Sequence, residues 1–159
     1  MISSGTPVRP EGGAVEDPRK LLRLRPSIEE ISAQYGQLQQ RLRDRLDHEL
    51  GPLSWVKSEP LSRAGCDEFP DVPEAEAWVL ESWQVPDNLP DASWPRAVDI
   101  VRALTREYGF GEPEIIVDRS GDHEITANDE YGAVYRFSTA ARTVLSITTG
   151  CHLRAAAKG

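Results

Sequence analysis

The sequence predicts an α+β protein, a two-layer sandwich in which two helices lie on one face of an antiparallel sheet of about five strands. Two segments carry the apolar periodicity of helices, and the last third of the chain alternates apolar and polar residues between short turns. Short turns join antiparallel strands, because parallel strands need long crossover connections. With 159 residues the chain is long enough to bury a substantial core between two packed layers.

The first helix is predicted to begin after Ser27, since Ser27 and Glu30 match a capping box. Apolar side chains then recur every three or four residues, which indicates one buried helical face. Its members are Ile28, Ile31, Tyr35, Leu38, Leu42, Leu46 and Leu50. Gly51 and Pro52 end the helix. We expect this face to pack on the sheet rather than in a coiled coil, because the heptads are too few.

The second helix is predicted from about Ala92 to Tyr108, with Pro95 in its first turn and Gly109 as its C-terminal cap. The strand-like segments are Leu53–Lys57, Ala75–Val85, Glu114–Asp118, Glu124–Ala127, Ala133–Phe137 and Thr143–Thr149. The last two of these alternate clearly. We therefore expect Ala133, Tyr135, Phe137, Leu145 and Ile147 to face the core.

The two ends of the chain are predicted to lie outside a single globular domain of residues 27–154. Residues 1–26 are rich in Gly and Pro and poor in apolar residues, which is typical of a disordered tether, and residues 155–159 are predicted to be a flexible end. The run Leu21–Arg25 has two interpretations. We favour a short lead into the first helix over a contact with anionic lipid headgroups beside an anchor, because the basic cluster is small.

The net charge of -8 at pH 7 is unevenly distributed. Residues 1–26 hold five basic and three acidic residues, a net of +2, so residues 27–159 carry -10. An acidic globule argues against nucleic acid as a partner, because phosphate binding needs a concentrated basic surface. We expect a soluble monomer. No apolar run approaches the roughly 20 residues of a spanning helix, and no signal-peptide apolar region follows Met1.

The chain has two cysteines, Cys66 and Cys151, and each follows a glycine. The sequence has no CxxC pair and no further cysteine for a metal cage. The simplest interpretation is one disulfide between the two cysteines, which places the protein outside the reducing cytosol. The missing export signal leaves the alternative that both cysteines stay reduced in the cytosol.

No residue pattern predicts a catalytic, cofactor or metal site. None of the three histidines, His48, His123 and His152, pairs with another at metal-ligand spacing. Cys151 and His152 are neighbours on a predicted strand and so point to opposite faces, which argues against a thiol protease dyad. The acidic stretch 118–130 offers oxygen atoms for Ca²⁺, but its spacing matches no known loop, so we favour a solvated turn.

The four tryptophans are the remaining candidates for ligand contact: Trp55, Trp78, Trp83 and Trp94. Trp78 and Trp83 are five residues apart on one predicted strand and so face opposite ways. We expect one of this pair to be exposed or set against the helices, and we take both as candidate ligand-contact aromatics. The alternative is that the tryptophans pack in the core.

Several segments, in order along almost the whole globular region, share the pattern of one known family. They are the helix with Tyr35, the strand with Trp55, Ala64-Gly65-Cys66, Glu107-Tyr108-Gly109, Tyr131–Phe137 and Leu145–Leu153. Through these segments the chain resembles the LppA-like lipoproteins of mycobacteria and related actinobacteria. The resemblance implies an α/β fold with a Cys66–Cys151 bridge, in an exported protein anchored to the outer side of the cytoplasmic membrane through a lipidated N-terminal cysteine. That cysteine and its signal peptide are expected upstream of Met1 in the full-length protein.

The leading hypothesis is a non-enzymatic binding or accessory domain of a cell-envelope lipoprotein, with no cofactor and with an unknown envelope ligand or protein as its partner. The family has no established enzymatic activity, so the resemblance carries over no catalytic residue. A second hypothesis is a cytosolic immunity or inhibitor protein whose acidic surface masks a basic partner. A third is a hydrolase with an unrecognised site, which requires a histidine and carboxylates that converge in a pocket.

Overall fold

The structure is a computed structural model that describes residues 17–158. Within this range the helices are α1 Pro18–Leu24, α2 Ile28–Leu50, α3 Trp94–Glu107 and α4 Ala155–Lys158, and a 3₁₀ turn, Asp91–Ser93, precedes α3. The strands are β1 Val56–Glu59, β2 Ser62–Gly65, β3 Ala75–Val79, β4 Ser82–Val85, β5 Glu114–Arg119, β6 Asp122–Asn128, β7 Val134–Thr139, β8 Thr143–Thr148 and β9 His152–Leu153. No helix in this part of the chain is long and apolar enough to cross a bilayer.

The nine strands of residues 17–158 form one antiparallel sheet, so the predicted α+β class is confirmed, while the predicted number of about five strands is too low. The strand order is β1-β4-β8-β7-β6-β5. β3 pairs with β9 and with the end of β8, and β2 pairs with β3. β5 is therefore an edge strand, and its register against β6 shifts at a bulge between Ile115 and Val117.

The extra strands come from one interruption and from short pairings. The segment predicted as one strand, Ala75–Val85, is interrupted at Leu80 and Glu81, where Leu80 places its side chain in the core. β2 and β9 have four and two residues, and segments this short carry too little alternation to be predicted. The strand predicted at Leu53–Lys57 is found at Val56–Glu59.

The core lies between the sheet and the two long helices, α2 and α3. The predicted stripe of α2 is buried from Ile28 to Leu46, with at most 3% of each residue exposed. The strand residues that the alternation places in the core are fully buried: Ala133, Tyr135, Phe137, Leu145 and Ile147. Gly109 follows α3 with a φ of 93°, a conformation that favours glycine, as predicted for a C-terminal cap.

The prediction of a disordered tether is wrong for the part of residues 1–26 that the structure describes. Residues 1–16 lie outside the described range, but the next residues form α1. The carboxylate of Asp17 caps the helix by accepting a hydrogen bond of 2.9 Å from the backbone N–H of Lys20. A capping aspartate followed by proline at the first helical position favours a helix start, and Leu22 gives this helix a side chain to bury.

Three side chains hold α1 against the rest of the protein. Leu22 is fully buried in a small cluster with Val72, Ala75, Cys151 and Leu153. Arg19 donates two hydrogen bonds of 2.9 Å to the Glu74 carboxylate. Arg25 donates to the carbonyl oxygen of Cys151 at 2.8 Å. These contacts fix which face of α1 points inward.

The flexible end predicted for residues 155–159 is likewise wrong for its described residues, which form α4. The Glu29 carboxylate accepts hydrogen bonds from the Arg154 guanidinium and the Ala155 N–H, both at 2.8 Å. Lys158 Nζ donates to the carbonyl oxygen of Arg25 at 2.6 Å. Polar contacts to α2 and to the end of α1 thus order α4, and the folded part extends past residues 27–154 on both sides.

Candidate functional site

The structure contains the predicted disulfide between Cys66 and Cys151. The two Cα atoms lie 6.0 Å apart, although 85 positions separate the residues. Cys66 follows β2 and Cys151 precedes β9, so the bond joins the loop after β2 to the last strand of the sheet. The two sulfur atoms are bonded to each other, so this region offers no thiol nucleophile for the neighbouring His152 to activate.

Trp78 belongs to the core. Only 6% of the residue is exposed, and its indole Nε1 donates a hydrogen bond of 2.8 Å to Glu76. The guanidinium of Arg63 lies 4.6 Å from the ring centroid. For Trp78 the core-packing alternative therefore describes the structure better than ligand contact.

Trp83 is half-buried on β4, whereas Trp78 lies on β3, so the two residues are not on one continuous strand. The guanidinium of Arg43, on α2, lies 3.7 Å from the Trp83 ring centroid. Trp83 is thus set against a helix through a cation–π contact, and its ring is already covered by a basic side chain.

A pocket of about 320 Å³ lies between α3 and the β5–β6 hairpin. Its lining residues are Trp94, Pro95, Val98, Asp99, Arg102, Pro113, Ile115, Asp118 and Ile125. The walls are mainly apolar, and Asp99, Arg102 and Asp118 add charge. By contrast, a hollow of about 370 Å³ beside α2 is lined mostly by polar side chains. The pocket at α3 therefore has the apolar walls and few polar groups of a ligand site.

Three stacked aromatic rings lie beside this pocket, and the middle one, Trp94, lines it. Trp94, in the first turn of α3, stacks on Phe137 with ring centroids 5.1 Å apart. His123 stacks on Trp94 at 5.0 Å with an angle of 16° between the planes. The sequence favours Trp78 and Trp83 over Trp94 as ligand-contact aromatics. The position of Trp94 in the first turn of α3, facing the sheet, is what brings it to the pocket.

His123 lies between two carboxylates. Its Nδ1 is 2.9 Å from Asp118 and its Nε2 is 2.9 Å from Asp91. Burial alone lowers the pKa of His123, but the bonds to Asp91 and Asp118 outweigh it and hold the pKa above the usual value. The Gly121 N–H, with His123 and Ser120, lowers the pKa of Asp91 to about 2. The arrangement favours an imidazolium with both ring nitrogens occupied.

The acidic residues of the stretch 118–130 do not converge on a cation site. Asp118 is committed to His123, while Asp129 accepts hydrogen bonds from the N–H groups of Tyr131 and Ala133 and from the Tyr35 hydroxyl. Within residues 17–158 no group of His, Cys, Asp or Glu side chains is arranged to hold a metal ion. Asp118 lies on β5 rather than in a turn, but its side chain is 63% exposed, so it is solvated as expected.

The other two histidines are separate from the pocket. His152 is fully buried, and its Nδ1 donates to the carbonyl oxygen of Pro26 at 2.9 Å. Burial lowers the pKa of His152, which therefore favours the neutral ring. His48 is exposed in the last turn of α2.

These features define a disulfide-bonded α+β domain with a ligand-sized pocket beside its edge strand. The profile of one family, LppA, described as "Lipoprotein confined to pathogenic Mycobacterium", matches residues 4–155. The chain belongs to this family, which confirms the resemblance inferred from the sequence. Members of a lipoprotein family are membrane-associated proteins of the cell envelope. The match gives no support to the alternative of a cytosolic immunity protein.

Two crystal structures have a similar fold. LppA from Mycobacterium tuberculosis superposes with a TM-score of 0.75 at 16% identity, over 96% of this chain and 95% of that chain. A DUF4853 family protein from Actinomyces odontolyticus ATCC 17982 superposes with a TM-score of 0.61 at 18% identity, over 82% of this chain and 71% of that chain. No curated protein matches the chain. Identities this low show a shared fold and carry over no functional residue.

Proposed function

We propose that this chain is the extracytoplasmic domain of a cell-envelope lipoprotein, anchored on the outer side of the cytoplasmic membrane, and that it works by binding a ligand rather than by catalysis. The observation that carries the proposal is the apolar pocket between α3 and the β5–β6 hairpin. Membership of a lipoprotein family and the disulfide both support a location outside the reducing cytosol.

The chemistry of the pocket favours an apolar group that carries a positive charge. Trp94, Val98 and Ile115 supply apolar walls. Among the lining residues two carboxylates, Asp99 and Asp118, outnumber the one guanidinium of Arg102, which is itself 3.0 Å from Asp99. An ammonium group would share the Asp118 carboxylate with His123, since this side chain is 63% exposed and bonds to the ring through one oxygen, whereas a carboxylate there would be repelled.

His123 and its two carboxylates raise the question of a hydrolase, because a histidine and acids do converge beside the pocket. Both ring nitrogens of His123 are hydrogen-bonded at 2.9 Å, so neither is free to accept a proton from a substrate or water. The side chain is only 8% exposed and does not line the pocket. These contacts favour a structural imidazolium over a catalytic base.

A pair of small probes of matched shape and opposite charge tests the pocket. We expect phenethylamine to shift the amide NMR signals of α3 and β5 and phenylacetate to shift them far less, because the lining is net acidic. Replacing Ile115, which lines the pocket, by serine should weaken amine binding about tenfold through lost apolar contact.

Ile116→Ser is the matched control, since Ile116 is the next residue, is 48% exposed and does not line the pocket. Equal binding of the amine and the acid, or equal weakening by the two serine variants, would refute a pocket for cationic apolar groups.

The location is tested separately by adding a protease to intact cells that express the full-length protein. If the protein resists the protease and is degraded only after the cells are lysed, an outer-surface domain is contradicted.

A further inference from the structure

The outward face of α1 combines apolar and basic side chains. Because Leu22 points into the protein, the helical spacing of 100° per residue places Lys20 and Leu24 on the opposite side, with Leu21 and Arg23 on the two flanks about 100° from Leu22. Leu24 is 78% exposed and Leu21 is 42% exposed. Lys20 and Arg23 are exposed as well. Among residues 17–158, Leu24 is the most exposed large apolar residue.

The outward face of α1 is basic, although the protein as a whole is acidic and the loop packed beside α1 carries the exposed Asp67, Glu68 and Asp71. α1 and α4 both contact β9, and Lys158 of α4 bonds to the carbonyl oxygen of Arg25 at the end of α1. Lys20, Arg23 and Lys158 therefore lie at one end of a chain in which residues 27–159 carry -10. The inward-facing Arg19 differs from them, because it is paired with Glu74.

We propose that the outward face of α1 docks on an anionic lipid bilayer, the interpretation of this segment that the sequence alone does not favour but that its exposed leucines now support. Leu21 and Leu24 enter the headgroup region, and Lys20 and Arg23 contact lipid phosphates. Exposed leucines beside basic residues are the pattern of helices that lie in a membrane interface. Charge complementarity selects an anionic surface, and the contacts of Leu22 and Arg25 keep the helix formed before it meets the lipid.

The contact is suited to orienting a chain that is already at the membrane. Two leucines and two basic residues hold a protein on a bilayer only weakly, since even one acyl chain gives marginal binding. A lipid anchor would supply the proximity, and α1 would then set which side of the domain faces the lipid. The proposal extends the lipoprotein role, but its test uses the unanchored chain, and α1 does not line the pocket. A failed pocket titration therefore leaves this result unaffected.

Amide NMR signals of the ¹⁵N-labelled chain, mixed with lipid nanodiscs that carry a gadolinium-chelating lipid, report which residues approach the bilayer. With discs rich in phosphatidylglycerol at low salt, we expect the signals of residues 20–24 to lose intensity first. Discs of phosphatidylcholine alone should produce no such loss. The signals should recover at about 1 M salt, where the screening length falls to roughly 3 Å.

Variants of exposed residues test the same face without disturbing the core. Lys20→Gln and Arg23→Gln should each weaken binding to the anionic discs about fivefold, and Leu21→Ser combined with Leu24→Ser should abolish the preferential loss of signal. The matched controls are Arg142→Gln and Val56→Ser, which change an exposed basic residue and a 46% exposed apolar residue elsewhere and should leave binding unchanged.

Three results would overturn the proposal. One is no loss of signal on anionic discs, and another is a loss centred on residues outside α1. The third is a dimer in sedimentation velocity that Leu24→Ser abolishes, because the face would then be covered by a second copy of the chain.

Discussion

Gly65 and Gly150 hold the same position before the two bonded cysteines, yet a side chain would meet different surroundings at each. At Gly150 an added Cβ would overlap the backbone carbonyl of Tyr131, in the turn between β6 and β7. At Gly65 it would meet no atom within 4 Å. Neither glycine has a positive φ, so space alone distinguishes the two positions.

We expect Gly150→Ala to lower the free energy of unfolding by about 1–3 kcal/mol, because backbone atoms near Tyr131 must move to admit the methyl group. Gly65→Ala should stay within about 0.5 kcal/mol of the parent protein. Urea unfolding of the two variants measures both values. Similar costs at the two positions would contradict the close approach at Gly150.

Single residues differ in how far the sequence could predict their role. Two cysteines with no third allow one pairing, so Cys66 and Cys151 could be joined from the sequence. Asp118 and His123 face each other across the β5–β6 hairpin, whose turn signal is visible in the sequence. Asp91 could not be added, because it lies 32 positions from His123 and reaches the ring only through tertiary packing of the 3₁₀ turn.

Among the elements, the β5–β6 hairpin is attached to the 3₁₀ turn chiefly through Asp91. Its carboxylate accepts hydrogen bonds from the Ser120 hydroxyl and the Gly121 N–H, both at 2.8 Å, and bonds to the His123 ring. This attachment brings the hairpin beside α3 and so forms one wall of the pocket. The protonation of His123 therefore affects the contact between the β5–β6 hairpin and the 3₁₀ turn.

The stabilising effect of His123 should depend on pH. Its pKa is raised in the folded protein, so its contribution is fully present below the unfolded value of about 6.5 and is lost as the pH rises through the folded pKa. His123→Gln should therefore cost more stability at about pH 5.5 than at about pH 8.5. Urea unfolding of the parent and the variant at both pH values gives the difference.

His152 supplies an internal control for this prediction. Its pKa is lowered in the folded protein, so its contribution is present above about pH 6.5 and is lost as the pH falls through the folded pKa. The ring NMR signals of His123 should titrate at a higher pH than those of His152. The opposite order, or a cost of His123→Gln that does not change with pH, would rule out the charged His123.

Elements with a long apolar period could be predicted from the sequence, whereas the short terminal helices α1 and α4 could not. The stripe of α2 and the strands 133–137 and 143–149 carry enough periodicity to show both their type and their buried side. α1 and α4 are too short to show a period, and pairs such as Arg19–Glu74 and Arg154–Glu29 help to order them. Such pairs join residues far apart in sequence, which no local pattern reveals.

At the scale of the whole molecule, the disulfide ties the loop after β2 to the C-terminal strand. The bond closes a long loop, with a sequence separation of 85, that contains most of the sheet and all of α3. A cross-link over so long a loop stabilises the fold by about 4 kcal/mol, through the restricted unfolded chain. The sequence could indicate the bond, but not that it sits beside α1.

Reduction should therefore lower the free energy of unfolding by about 4 kcal/mol, as measured by urea unfolding with and without reductant. The variant with both Cys66→Ala and Cys151→Ala should match the reduced protein and should not respond to the reductant. An unchanged unfolding midpoint after complete reduction, verified by mass spectrometry, would contradict a structural role for the bond.

The bulge in β5 makes the edge of the sheet a poor template for a second copy of the chain. A long regular edge strand offers its backbone groups as a template for further strands, and Ile115 and Ile116 are exposed on this edge. The register shift between Ile115 and Val117 interrupts that row, and Glu114 and Arg119 place charges at its two ends. A membrane-associated protein meets its neighbours at high local density, and an irregular edge opposes aggregation by strand addition under such crowding.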